Sequence, residues 1–373
     1  MKKILHISKY YYPFIGGVEQ TARDCVNALK GKYEQKVICF NHKKGTAHEF
    51  VDQIEVIRCG CQIKISSQSI SFNMKKQLQK LIEEFKPDYI LFHYPNPFVS
   101  TILLPLLTSK NKLVLYWHLD IIKQKLLKKI FYFQNINLIN KAYRIIATSP
   151  NYIKGSSFLA RAEGKCIVVP SCINEERLNI NNSIIEIANE IRKNNFNKII
   201  CLAVGRHVPY KGFESLIRAS KELDECFSIY IIGKGPLTNK FKKLAKGDPK
   251  IHFMGMIEDD FLKAFYLATD IFCFPSITKN EAFGLALAEA MYFGSPAVTY
   301  HVPGSGVNYV SLNGLTGIEV ENSNYKNYAE AIKKLGRDST LRTEMGIQAK
   351  KRVKDNFLYI HYQENILKVF QDS

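Results

Sequence analysis

The sequence predicts an α/β protein of two doubly wound domains. Three observations carry this. At 373 residues the chain exceeds one ordinary domain. Short apolar runs alternate with helical patterns along nearly all of it, the mark of parallel sheets covered by helices. There are twelve such runs, which suit two sheets better than one. In the first half they are "KILHIS" (3–8), "QKVICF" (35–40), "IEVIR" (54–58), "DYILFH" (88–93), "KLVLYWH" (112–118), "RIIATS" (144–149) and "CIVVP" (166–170). The second half repeats the scheme with "KIICLAVG" (198–205), "FSIYIIG" (227–233), "KIHFMG" (250–255), "DIFCFP" (270–275) and "PAVTY" (296–300). The polar segment 174–197 between the sets reads as the linker region. Three helical patterns close the chain, over roughly 323–335, 338–353 and 355–370, and the last is amphipathic, so it must dock. The expected domains are 1–175, joined by the closing helix 355–373, and 176–354. In such folds ligands bind beyond the carboxyl ends of the strands, so the loops after strands are where chemistry is expected.

Composition narrows the class. Apolar residues make up 46% of the chain, enough for two cores. The nine cysteines have no zinc spacing, the nearest pair being Cys59 and Cys61, and read as free thiols in a reducing compartment. The opening "MKKILHIS" has lysines before an apolar run, but the run is too short for a signal core and reads as a first strand. No apolar run approaches the ~18 residues of a membrane span. The net charge is +18, and it is uneven. Residues 1–180 carry 27 Lys+Arg against 13 Asp+Glu, and residues 181–373 carry 25 against 21. A basic first half fits nucleic acid, an anionic membrane surface, a phosphate-bearing ligand, or a merely solubilising surface.

The loops after strands hold the candidates. After the first strand, Gly16 and Gly17 precede a helix starting near Val18. Paired glycines let a ligand approach the backbone, and the helix start offers free N–H groups and the positive dipole end. The G-x-G-x-x-G spacing and the P-loop Lys-Ser/Thr are both missing, which counts against NAD and ATP. A Gly-Gly turn without a ligand fits equally. After the first strand of the second half, "VGRHVPYKG" places Arg206 in the strand loop and Lys211 at the next helix start. Together they could neutralise a diphosphate, with arginine as a fork and lysine as a point charge; singly they also fit solvated surface cations. "IIGKGPL" (231–237) reads as a tight structural turn. In "KNEAFGLALAEAM" (279–291), Glu281 lies in a loop and Glu289 about two turns into a helix that reads as buried. Unpaired ionised carboxylates are rare there. Phe283, Gly284 and Leu285 supply free N–H groups of the first turn. A hydroxylated, phosphorylated ligand would pair with both glutamates and cap the helix.

"GRHVPYKG" followed by "EAFGLALAE" resembles the retaining family 4 glycosyltransferases of the GT-B fold. The resemblance covers nearly the whole chain. It includes a closing helix that in this family crosses back to the first domain, and two domains facing each other across a cleft. "WHLDIIKQK" with "IIATSPNYIKGS" is similar to a bacterial branch of mannosyl- and rhamnosyltransferases that build O-antigens, capsules and other surface polysaccharides. The resemblance implies a nucleotide-diphosphate sugar donor, GDP-mannose first, and a lipid diphosphate-linked saccharide acceptor. It implies that Arg206 and Lys211 bind the donor diphosphate. Glu281 would accept from the donor sugar, beside the N–H groups of Phe283, Gly284 and Leu285. Glu289 would accept from the ribose, and Gly16 and Gly17 would close over the phosphate. His118, at the end of "LVLYWH", matches the family's histidine near the anomeric carbon. The leaving phosphate would help deprotonate the acceptor hydroxyl. Many relatives carry an acid after a later glycine-rich turn, where "HVPGSGVNYV" has Asn308 instead.

No D-x-D motif occurs, and "EDD" (258–260) reads as charge at a helix start, so no metal and no cofactor is expected. No pair of carboxylates stands as nucleophile and acid, as a glycosidase requires. "IIKQKLLKKIFYF" (121–133) reads as a helix with Ile122, Leu126, Ile130 and Phe133 on one face and lysines around the rest. It resembles an interfacial membrane helix and equally a core-facing one with a basic side. The expectation is attachment to the anionic inner face of the cytoplasmic membrane, with Lys123 and Lys125 nearest the acceptor phosphates. Rival readings are a UDP- or dTDP-sugar transferase, a nucleotide-sugar epimerase of the same shape, and a polyanion-binding protein. The epimerase would not explain the basic half. The last predicts basic residues interleaved with stacking aromatics, which "YYYPF" lacks, so no nucleic acid is expected.

Overall fold

A computed structural model describes residues 1–14, 16–65, 68–120 and 128–371. The chain divides into two units, Met1–Pro170 with Tyr362–Ser373, and Ser171–His361.

The first unit is built on β1 (Lys3–Ile7), β2 (Glu34–Phe40), β3 (Ala47–Val51), β4 (Ile54–Cys59), a small hairpin of β5 (Ile63–Ile65) and β6 (Gln68–Ile70), then β7 (Tyr89–Tyr94), β8 (Lys112–Trp117), β9 (Ala142–Ala147) and β10 (Cys166–Val168). The main sheet runs β10-β9-β8-β7-β1-β2-β4-β3. Every neighbour is parallel except the β3–β4 edge. Between β1 and β7 the strand order reverses, so their carboxyl ends open the crevice of a doubly wound sheet. β1, β7 and β8 are buried almost throughout, as strands covered on both faces must be. Helices α1 (Gly17–Leu29), α2 (Met74–Phe85), α3 (Pro97–Leu103), α4 (Lys128–Lys141) and α5 (Pro150–Gly155) belong to this unit.

The second unit opens with α6 (Asn182–Asn194). Its strands are β11 (Ile199–Val204), β12 (Phe227–Ile232), β13 (Ile251–Gly255), β14 (Ile271–Phe274), β15 (Ala297–His301) and β16 (Gly317–Glu321). They form one all-parallel sheet, β13-β12-β11-β14-β15-β16, which reverses between β11 and β14. Helices α7 (Phe213–Ser220), α8 (Thr238–Leu244), α9 (Asp259–Ala268), α10 (Leu285–Tyr292), α11 (Val307–Val310), α12 (Tyr325–Arg337) and α13 (Ser339–Asn356) complete it, and α14 (Tyr359–Phe370) closes the chain.

All twelve expected strands are present. The additional ones are short or lie at sheet edges. β3 and β16 interrupt their apolar residues with polar ones, so they lack the continuous apolar run that marks a covered strand. The polar segment read as a linker is corrected: residues 182–194 are helix α6, which buries Ile184 and Ala188 against Ala264 and Ala268 of α9. Its charged residues occupy only the other face. The amphipathic ending docks as the sequence requires. Tyr33 and Tyr89 donate to the Phe370 carbonyl at 3.3 and 3.0 Å, and Arg144 donates to those of Lys368 and Val369 at 2.7 and 2.8 Å. These bonds satisfy carbonyls that the end of a helix leaves unpaired.

Candidate active site

In the second unit the loops after β11 and β14, neighbours at the reversal, carry the expected donor residues. β11 leads through Gly205 and Arg206 to a single 3-10 turn, Pro209–Lys211, and then Gly212. Gly212 has φ +64°, and a Cβ there would sit 1.9 Å from the Pro275 carbonyl oxygen. Only glycine lets the Lys211 turn lie against the end of β14. Lys211 Nζ consequently stands 2.5 Å from Glu281 Oε2 and 4.8 Å from the centre of the Phe274 ring. Ser276 donates to the same carboxylate at 3.1 Å. Both ion-pair partners are nearly buried, with side chains 13% and 12% exposed. Arg206 is exposed, and no ion pair or hydrogen bond engages its side chain among the described residues. Its charge and that of Lys211 are both felt by Tyr210.

The Glu281 loop is held from behind. The Glu281 carbonyl accepts from Ser305 Oγ at 2.8 Å and from the Gly306 N–H at 3.3 Å. A Cβ on Gly306 would strike the Ala282 carbonyl. Asn308, which stands where many relatives have an acid, is part of this brace. Its amide accepts from the Val302 N–H at 3.0 Å and donates to the Tyr300 carbonyl at 3.0 Å. Helix α10 follows directly. Its cap, Gly284, has φ +96°, and the first intrahelical bond runs from Ala288 to Gly284. The helix therefore does not consume the N–H groups of Phe283, Gly284 and Leu285.

Glu289 is buried on α10, as its sequence context required, but it is not alone there. Arg177 pairs with one carboxylate oxygen, and the Tyr266 hydroxyl donates to the other at 2.9 Å. Burial raises its pKa, against the pull of Arg177. Arg177 also reaches Asp259 at 3.4 Å. The sequence reading paired these glutamates with a ligand; in the structure each also has a cation of the protein, Lys211 for Glu281 and Arg177 for Glu289. Sequence reasoning missed Arg177 because it lies in the segment read as linker, 112 positions from its partner. The acidic run before α9 is used as expected, with Asp259 and Asp260 in its first turn and both paired to Lys263.

In the first unit, Gly16 caps α1 with extended backbone, and a Cβ on Gly17 would meet nothing within 4 Å. Gly17 leaves open space there, but a Cβ on Gly16 would strike the carboxylate of Glu19, which lies over the start of α1. His118 follows β8 and is 7% exposed. Its Nε2 lies 3.0 Å from Nδ1 of His93 on β7, and its ring stacks on Tyr116 at 4.5 Å. Burial lowers the pKa of His118 to about 3 and that of His6 on β1 to about 4, and it holds His93 well below the usual value. Lys123 and Lys125, with Ile122 and Leu126, lie outside the described residues. Of the same expected face, Phe133 on α4 is 67% exposed.

These neutral histidines predict a pH dependence. Their folded pKa values lie below the unfolded value near 6.5, so the unfolded chain binds more protons and stability falls as pH drops below 6.5. Each contributes roughly 1.4 kcal/mol per pH unit until its own pKa is reached. Between pH 6.5 and 5 most carboxylates stay ionised, so the slope there belongs mainly to imidazoles. Urea unfolding at several pH values should show that slope, and His6→Phe should flatten it. An unchanged slope in that variant would refute the reading.

Two α/β units in one chain, each with a parallel sheet whose strand order reverses once, have the architecture of the GT-B fold. Two family profiles match, "Glycosyltransferase Family 4" over residues 15–177 and "Glycosyl transferases group 1" over 186–352. The chain belongs to the family 4 glycosyltransferases. It is 26% identical over 366 residues to the O-antigen chain mannosyltransferase C of Escherichia coli, covering 96% of this chain and 95% of the relative. It is 27% identical over 363 residues to the D-rhamnosyltransferase WbpZ of Pseudomonas aeruginosa, covering 95% and 92%. Among solved structures, sucrose-phosphate synthase from Thermosynechococcus elongatus superposes with a TM-score of 0.82 at 18% identity, covering 99% of this chain and 98% of that one.

Proposed function

We propose that this glycosyltransferase works in O-antigen-like polysaccharide synthesis, moving a hexose from a nucleotide-diphosphate sugar to a lipid diphosphate-linked oligosaccharide with retention. Mannose from GDP-mannose is the first choice of donor, with UDP- and dTDP-sugars as alternatives. The observation that carries the reading is the buried Lys211–Glu281 pair beside the unconsumed N–H groups at the start of α10. A lysine held by a carboxylate is a preorganised cation, and such charges stabilise a leaving diphosphate without reorganising. In this reading Lys211 and Arg206 hold the diphosphate. Glu281 accepts from sugar hydroxyls, and Phe283, Gly284 and Leu285 donate from the helix start. Gly16 and Gly17 close over phosphate, and His118 accepts from a hydroxyl near the reacting carbon. No metal is called for, because protein cations and N–H groups supply the positive charge. The two relatives named above support the polysaccharide context. The test is a screen of the purified protein against GDP-, UDP- and dTDP-sugars for hydrolysis and thermal stabilisation. No response to any of them would overturn the reading.

Glu289 carries its own prediction. An ionised carboxylate has lone pairs for more than two partners, so a ribose hydroxyl can bind Glu289 beside Arg177 and Tyr266. Glu289→Ala should therefore weaken binding of free nucleoside diphosphate by about tenfold, one hydrogen bond to an ionised group. It should also lower stability by roughly 1–3 kcal/mol, because Arg177 and the buried Tyr266 hydroxyl lose their partner. Calorimetric titration with GDP and UDP measures the first effect. Wild-type affinity in the variant would remove the ribose role.

The acceptor side rests on charge. No helix among the described residues is long and apolar enough to cross a membrane. We place the protein on the inner face of the cytoplasmic membrane through the basic segment 121–133, with Lys123 and Lys125 nearest the acceptor diphosphate, at roughly 1 kcal/mol per lysine. Co-sedimentation with anionic vesicles should fall with salt and with lysines 123, 125, 128 and 129 changed to glutamine. Equal binding to neutral vesicles would refute it.

A further inference from the structure

Arg206 is exposed, and no ion pair or hydrogen bond engages its side chain among the described residues. Its place in the loop after β11 is therefore set through its backbone, by what its neighbours hold. The next residue, His207, is the reverse case, at 1% exposed. Its ring lies among Phe213 of α7 at 5.2 Å, Phe241 of α8 at 5.6 Å and Phe253 of β13 at 6.2 Å. His207 Nδ1 is 2.9 Å from Thr238 Oγ1, the first residue of α8. Its Nε2 is buried without a partner. A polar nitrogen left unbonded in an apolar site is costly, and a phenyl ring would fill the same space without it. Packing alone therefore does not account for a histidine here, and the bond to Thr238 does.

That bond joins two loops at the carboxyl end of the sheet. The Thr238 hydroxyl accepts from the Gly235 N–H at 2.9 Å and lies 2.8 Å from the Gly235 carbonyl, so it also holds the loop after β12. Backbone bonds run beside it. His207 N–H donates to the Lys234 carbonyl at 3.1 Å, and Leu237 N–H donates to the His207 carbonyl at 3.1 Å. A Cβ on Gly235 would sit 2.5 Å from that His207 carbonyl oxygen, so the loops meet with no room for a side chain. On the other side of Arg206, Gly205 N–H donates to the Ile232 carbonyl at 3.0 Å. Arg206 is a free side chain on a clamped backbone.

We propose that His207 is the positioning residue for Arg206: its bond to Thr238 fastens the loop after β11 to the loop after β12 and so aims the Arg206 guanidinium at the donor diphosphate. The final clause rests on the role proposed for Arg206 above; the clamp does not. The reason for a clamp is that a charge displaced by about 1 Å can cost about a hundredfold in rate. A free side chain adds its own spread to that of its loop, so the loop must be still.

The test is a double-variant cycle in kcat/KM, read as hydrolysis by the whole chain. The probe is the GDP-, UDP- or dTDP-sugar hydrolysed fastest in the screen above. His207→Phe keeps a ring and removes the bond. Thr238→Val removes it from the other side, and Thr238→Ser keeps the hydroxyl. His207→Phe and Thr238→Val should each lose about tenfold, and Thr238→Ser should recover most of it. In the Arg206→Ala background the same two variants should lose less than about twofold, because the group they aim is gone. Where His207→Phe fails to fold, Thr238→Val carries the test. Equal losses in both backgrounds mean that the clamp only supports the fold, and they overturn the proposal. Full activity in His207→Phe and Thr238→Val, with Arg206→Ala impaired, also overturns it and leaves the diphosphate role of Arg206 standing. Near-normal turnover in Arg206→Ala refutes that role and the proposal with it.

Discussion

Lys211→Ala should lose roughly 2–4 kcal/mol of transition-state stabilisation, about 30- to 1000-fold in kcat/KM, because a preorganised charge is removed from the leaving diphosphate. The geometry sets the size of the effect. The Lys211 side chain is 13% exposed, so its charge is poorly screened by water, and Glu281 holds its ammonium at 2.5 Å. Removing it does a second injury: Glu281 remains as a nearly buried carboxylate without its cation. The effects of Lys211→Ala and Glu281→Gln should therefore not add, and the double variant should be little worse than the worse single. Arg206→Ala should lie at the lower end of the range and leave the melting temperature unchanged, since that side chain is exposed and free of protein partners among the described residues. Steady-state kinetics with thermal melts of each variant check this. Near-normal turnover in both Lys211→Ala and Arg206→Ala would remove the diphosphate role.

Gly212→Ala should destabilise the second unit by about 3–4 kcal/mol and depress turnover with it. A left-handed backbone costs an alanine roughly 1–2 kcal/mol. The added Cβ would also lie 1.9 Å from the Pro275 carbonyl oxygen and 3.1 Å from Ile277. The Pro275 carbonyl is backbone and cannot rotate away as the Ile277 side chain could, so the strand end must shift, at roughly 1–3 kcal/mol. That shift displaces Lys211 from Glu281. Gly247→Ala is the control. It has φ +84° but nothing within 4 Å of its Cβ, so only the conformational cost of about 1 kcal/mol applies. Urea unfolding of the two variants separates the effects. Equal losses would show that the close approach at Gly212 carries no weight.

Much of this was legible in sequence because covered strands announce themselves. Runs such as those of β7, β8 and β11 are apolar on both faces, and no other element needs that pattern at that length. The edge strands escaped for the same reason in reverse: β3 and β16 have an open side and need only half the apolar residues. Helix α6 escaped because its polar residues imitate a linker, although Ile184 and Ala188 are buried and Ile187 and Ile191 pack beside them. The need for glycine at 212 was not legible, since its reason is a carbonyl 63 positions away in sequence, at Pro275.

By itself the sequence determined the class of fold and the order of its covered strands, and it pointed to candidate loops, because periodicity and punctuation by glycine are local properties of the chain. It marked Arg206, Lys211, Glu281 and Glu289 as candidate ligand contacts, and His118 through a family resemblance. Only the tertiary structure decided how those charges and rings are partnered. Lys211 turns to Glu281, Arg177 to Glu289, and His118 to His93, across separations of 70, 112 and 25 positions. Pairing of this kind is set by strand order, and strand order is a long-range choice that no local pattern encodes. The reversals at β1–β7 and β11–β14 bring distant loops to one end of each sheet, and burial there turns nearby charges into fixed pairs.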